Sequence, residues 1–70
     1  MNNEFIDFKK DVLKDMRELL KLSPDGVQPH IRRTIKGINN NRYNDTIEES
    51  IHQGGSASDC VDLLLAIAGY

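Results

Sequence analysis

The sequence predicts an all-α fold: a compact array of four helices, one long at the N-terminus and three shorter. Three observations predict it. Apolar residues recur at spacings of three and four, most clearly through residues 4–22. Clusters of Gly, Pro and Asn cut the remainder into short segments, at Ser23-Pro24-Asp25-Gly26, Asn39-Asn40-Asn41 and Gly54-Gly55. No stretch of four or more residues alternates convincingly with period two, so no sheet is expected.

The first helix is expected over residues 4–22. Phe5, Phe8, Val12, Met16 and Leu19 form its stripe, and Ile6, Leu13 and Leu20 broaden it to about 160°. Asn2 or Asn3 is placed to cap it. Asp7–Lys10, Asp11–Lys14 and Glu18–Lys21 are opposite-charge pairs at i,i+3, each worth a few tenths of a kcal/mol. Pro24 and Gly26 make a turn, and a second helix is expected from about residue 27 to 38. Pro29 fits only in its first turn, where its missing N–H breaks no intrahelical bond. Val27, Ile31, Thr34, Ile35 and Ile38 make the apolar face; Arg32, Arg33 and Lys36 point away from it together. Gly37 weakens the end and the three asparagines stop it.

A short third helix is expected over 45–53, with Asp45 and Glu48 at capping-box spacing and Ile47 and Ile51 as its only large apolar residues. Gly54 ends it. The fourth helix, 57–68, is the greasiest element. Ser56 is its N-cap, with Asp59 three residues on, and Gly69 closes it. Leu63, Ile67, Cys60, Leu64, Ala57, Ala68, Val61 and Leu65 cover an arc of about 200°, twice an ordinary surface stripe. An arc that wide must be covered on more than one side. The expectation is that this helix lies at the centre of the array or in a two-fold interface, with Val61, Leu63, Leu64, Leu65 and Ile67 as interface residues of a helical homodimer.

Length points the same way. Seventy residues make a single domain, 1–70, with a thin core, because a chain this short buries only about 60% of its unfolded surface. One cysteine excludes an internal disulfide. The polar, acidic opening Met1-Asn2-Asn3-Glu4 is not a signal peptide, so the expected compartment is the cytoplasm.

Net charge is −2, but its distribution matters more. Residues 1–22 carry five acids and five bases; residues 32–43 carry Arg32, Arg33, Lys36 and Arg42 and no acid. Residues 44–70 carry Asp45, Glu48, Glu49, Asp59 and Asp62 and neither Lys nor Arg. The basic middle is the best functional candidate: Arg32, Arg33, Lys36 and Arg42 are placed to meet a partner's acids or a phosphate backbone, with Tyr43 available to stack on a base. Against nucleic acid, the domain as a whole is acidic, with pI ≈ 5.5. A helix-turn-helix reading of residues 27–53 fails on charge, because the helix that would enter the groove carries Glu48 and Glu49 and no base.

The chemistry-bearing residues form no motif. Gly54-Gly55-Ser56 lacks the lysine and spacing of a phosphate loop, so helix punctuation explains it better than anion binding. His30, His52, Cys60, Asp59 and Asp62 show no zinc spacing, and Cys60 sits among apolar neighbours that suppress a thiolate. No metal, cofactor or catalytic residue is assigned. The functional expectation is a small non-enzymatic regulatory or inhibitory adaptor that binds another protein, of a kind carried by phages and mobile elements. A nucleic-acid-binding regulator using the face 32–42 ranks second. A binder of a small anion or nucleotide, between subunits at the Gly54 to Ser56 loop, ranks third.

Overall fold

The computed structural model describes residues 3–68, and among these the fold is all-helical. Helix α1 spans Asn3–Leu22, α2 Gln28–Asn39, α3 Asn44–His52 and α4 Ala57–Ile67. Among the described residues no helix is long and apolar enough to cross a membrane.

Each junction is closed by identifiable hydrogen bonds. Helix α1 has no glycine at its end. Instead Ser23 Oγ donates to Leu19 O (2.6 Å), and Gln28 Nε2 reaches back to Leu20 O (3.4 Å) and Ser23 O (3.2 Å). These side chains satisfy carbonyls that the helix leaves open. The carbonyl of Pro24 accepts from Val27 N and Gln28 N, which starts α2, and Pro29 lies in the first turn as expected. At the far end Asn40 is the C-cap and Asn41 takes φ 64°. Asn41 N donates to Ile38 O (3.1 Å) and Arg42 N to Gly37 O (2.9 Å), the paired bonds of a Schellman ending. The same pattern closes α3: Gly54, at φ 73°, donates to Ile51 O and Gly55 to Ser50 O.

Two helix starts differ in outcome. Ser56 caps α4 as expected, its Oγ accepting from Asp59 N at 3.2 Å. The Asp45–Glu48 capping box of α3 does not form. Tyr43 is the N-cap, because its carbonyl already accepts from Ile47 N (3.0 Å), and this draws Asn44 and Asp45 into the first turn. Asp45 there favours the positive end of the helix dipole rather than capping it. Asn3 lies inside α1. Asn2 and Gly69, expected as cap and terminator, lie outside the described residues.

The core is drawn from all four helices: Val12 and Met16 of α1, Ile31 and Ile38 of α2, Ile47 of α3, and Cys60, Val61 and Leu64 of α4. Both α1 and α4 pack against every other helix, while α2 and α3 lean on that pair far more than on each other. The molecule measures 37 × 20 × 19 Å. The long dimension follows from α1, whose 20 residues at 1.5 Å rise extend about 30 Å. The radius of gyration is 11.5 Å, close to the about 11 Å expected of a folded chain this long.

The broad apolar arc of α4 is therefore covered mainly by its own chain. Val61 and Leu64, expected at an intermolecular face, are in the chain's own core at 5% and 0% exposure. Leu65 is half-buried, and its carbonyl meets His30 Nε2 at 3.2 Å. Only Leu63 and Ile67 of the five expected interface residues stay exposed, at 44% and 50%.

Candidate functional site

The basic residues of the middle segment come together where α2 ends. Arg33 and Lys36 stand one turn apart on the outer face of α2, and both are exposed. The Schellman ending turns the chain so that Arg42 returns beside them. Arg33, Lys36 and Arg42, with Gly37 and Asn40, line one open depression of about 550 Å³. The turn is held from the other side by Lys9 of α1, whose Nζ donates to Asn41 Oδ1 (2.8 Å) and Asn44 Oδ1 (3.1 Å). Lys9 also lies 5.8 Å from the centre of the Phe5 ring, within cation–π range.

The local backbone decides what this depression can bind. It adjoins the C-terminal turn of α2, where carbonyls give a partial negative charge that suits the cations themselves. The N–H groups of Asn40, Asn41 and Arg42 are already given to Lys36 O, Ile38 O and Gly37 O. No backbone nest remains for a small anion. What is offered is three exposed cationic side chains on a concave surface, which suits a broad acidic face.

Two of the expected contact residues stand apart. Arg32 is exposed, but its Nη2 donates to Gln28 Oε1 (3.2 Å) one turn back, outside the depression. Tyr43 is half-buried and packs against the core. Its ring lies against the backbone of Gly37, so close that a Cβ on Gly37 would stand 2.5 Å from Tyr43 Cε2. That packing takes up part of the ring, so a base would meet only the portion left exposed. Gly37 is thus no mere weak point in α2. It is a buried notch that seats Tyr43 and shapes the depression's floor.

The residues weighed for chemistry are scattered. Among the described residues no group of three or more His, Cys, Asp or Glu side chains can hold a metal ion. Cys60 is buried, and that burial pushes its thiol above the ordinary value of 9.0, with a hydrogen bond to Ser50 pulling weakly the other way. A thiol so placed is a poor nucleophile.

One surface was hidden by adding up charges. The acids of α1, Glu4, Asp7, Asp11, Asp15 and Glu18, are spaced by three, four, four and three residues. That spacing puts all five on one flank of the helix. Asp15 and Glu18 meet Asp62, Ser58 and Val61 of α4 across a depression of about 340 Å³, which Leu19 and Leu22 complete. Further along, Glu4 faces Glu48, Ile51 and His52 of α3 across another. Counted along the sequence the five acids cancel five bases; placed on a helix they form an acidic side. The spacing was the signal.

No protein-family model matches the chain, and neither a curated protein nor a solved structure matches it.

Proposed function

We propose that the protein is a small, cytoplasmic, non-enzymatic adaptor, regulatory or inhibitory, that binds an acidic face of another protein through Arg33, Lys36 and Arg42. The observation that carries the reading is their convergence on one open depression whose backbone donors are already spent. Charge arranged in this way accelerates encounter and selects partners more than it adds affinity. The confinement of Tyr43 beneath α2 favours a protein over a nucleic acid, since sequence-tolerant nucleic-acid binding relies on aromatic stacking as well as on cations.

The test is Arg33→Glu with Lys36→Glu. Both side chains are exposed, so the circular dichroism spectrum and melting temperature stay near those of the parent. Capture of the partner from host extract, identified by mass spectrometry, is lost. Retained capture moves the working surface elsewhere. The second reading, contact with a phosphate backbone by the same cations, is read by fluorescence anisotropy on labelled single- and double-stranded nucleic acid. Binding that falls steeply with salt establishes it, and no binding in low salt removes it.

A homodimer belongs to this reading as well, with Leu63 and Ile67 in place of the broader face first expected. They lie one turn apart and share a ridge of α4. The need for a second copy is modest. The accessible surface is 4749 Å², against about 4,400 Å² for a folded monomer of this mass.

A further inference from the structure

We infer that the groove between α1 and α4 is a docking surface for a basic, amphipathic segment of a partner protein. Its apolar part comes first. Leu22, the last residue of α1, is 85% exposed and borders the depression between α1 and α4. A single exposed leucine is ordinary. This one continues inward to half-buried Leu19 and to Val61, so the groove has an apolar floor running out to an apolar lip. Asp15 and Glu18 on one wall and Asp62 on the other give it carboxylates on both sides, and no Lys or Arg lines it.

A concave apolar floor between acidic walls fits a convex apolar ridge flanked by Lys or Arg, the pattern of a helix laid in a groove. A second copy of this chain does not supply that pattern. Among the described residues its other exposed large apolar side chains, Leu63 and Ile67, are on α4, whose charges are Asp59 and Asp62, and like charges would face each other. Its basic surface is itself a depression, and none of the residues lining it is a large apolar one. The occupant is therefore a different protein. The groove and the basic depression share no lining residue, so this inference does not depend on the function proposed for Arg33, Lys36 and Arg42. Together they would make the adaptor a bridge between an acidic partner and a basic one.

The probe is a fluorescein-labelled synthetic helical peptide carrying leucines four residues apart with lysines on both sides. Two controls replace its lysines by glutamate or its leucines by serine. Anisotropy in low salt is expected to show saturable binding that weakens as salt is raised, with neither control binding. Leu22→Ser lowers the affinity about tenfold or more, and so does Asp15→Lys with Asp62→Lys. Arg33→Glu with Lys36→Glu does not weaken it, which separates this surface from the other. Backbone amide shifts of the labelled protein move at Asp15, Glu18, Leu22 and Asp62. The inference is overturned if the lysine peptide does not bind, if the glutamate control binds equally, if Leu22→Ser keeps full affinity, or if the shifts map elsewhere. It is equally overturned if Leu22→Ser changes the mass of the protein alone by light scattering, because a second copy is then the occupant.

Discussion

Gly37 and Tyr43 show how much one missing side chain can decide. Alanine in place of a helical glycine ordinarily gains up to about 1 kcal/mol from propensity. Here the new Cβ would stand 2.5 Å from a carbon of the Tyr43 ring. That ring is half-buried against the core, so moving it aside disturbs packed surface. Overpacking of this kind costs roughly 1–3 kcal/mol, which outweighs the propensity gain. Gly37→Ala is expected to lower the urea midpoint, and a double-mutant cycle with Tyr43→Ala is expected to show strong coupling. Additive effects would mean that the ring relaxes at no cost. Cys60 makes the second prediction at this scale. Its folded-state pKa is raised by burial, so the fold prefers the neutral thiol. Below the unfolded value near 9.0 both states hold the proton and nothing changes. Above it the unfolded chain ionises first, so this contribution to stability is lost as pH rises towards the folded pKa. Comparison of wild type with Cys60→Ala across that range isolates the thiol's contribution. At neutral pH a chromogenic disulfide reagent is expected to react slowly with the folded protein and quickly in urea.

At the scale of elements, the helices are defined by their ends more than by their propensities. Isolated helices of 9 to 12 residues, the lengths of α2, α3 and α4, are marginal in water. Caps and Schellman bonds fix where each begins and stops, and packing supplies the rest. The turn after α2 also has a functional consequence, since it brings Arg42 back to Arg33 and Lys36. Asn41→Ala places an ordinary side chain at φ 64° and removes one of the two acceptors of Lys9. A left-handed residue with a Cβ costs about 1–2 kcal/mol, and asparagine tolerates that region better than alanine. The expected outcome is a melting temperature several degrees lower, together with weaker partner binding as Arg42 loses its fixed position. Asn41→Gly, which relieves the strain but still lacks the Lys9 contact, is expected to recover most of the first loss. Equal melting temperatures for Asn41→Ala and the parent would refute this account.

Across the whole molecule, α1 and α4 form the frame and charge is sorted by side. Of the acids of α1, Asp15 and Glu18 face α4 and Glu4 faces α3, while Arg33, Lys36 and Arg42 gather at the end of α2. The two halves of the α4 arc are distinguishable by substitution. Leu64→Asp puts a carboxylate at a fully buried site and is expected to unfold the protein, since burying an unpaired charge exceeds the margin of so small a core. Leu63→Asp and Ile67→Asp, at exposed sites, are expected to leave the fold intact. If α4 makes a two-fold contact, light scattering shows these two variants as monomers where the parent is a dimer. A parent that is already monomeric removes that contact.

The sequence by itself determined the helices, their number and nearly all their ends, because helix periodicity, Ser56, Pro29 and the glycine and asparagine clusters act locally. It also held the acidic flank of α1, legible once the acids are counted by helical spacing rather than by sum. What only tertiary structure decided is which side chains remain available. Whether the arc of α4 needed another molecule depended on how far α1, α2 and α3 wrap it, and they cover Val61 and Leu64 but leave Leu63 and Ile67. How much of the Tyr43 ring stays exposed depended on a notch at Gly37, six residues away in sequence and in contact only after the chain turns. Burial is a property of surfaces brought together by folding, so residues of the same type and periodicity had different fates.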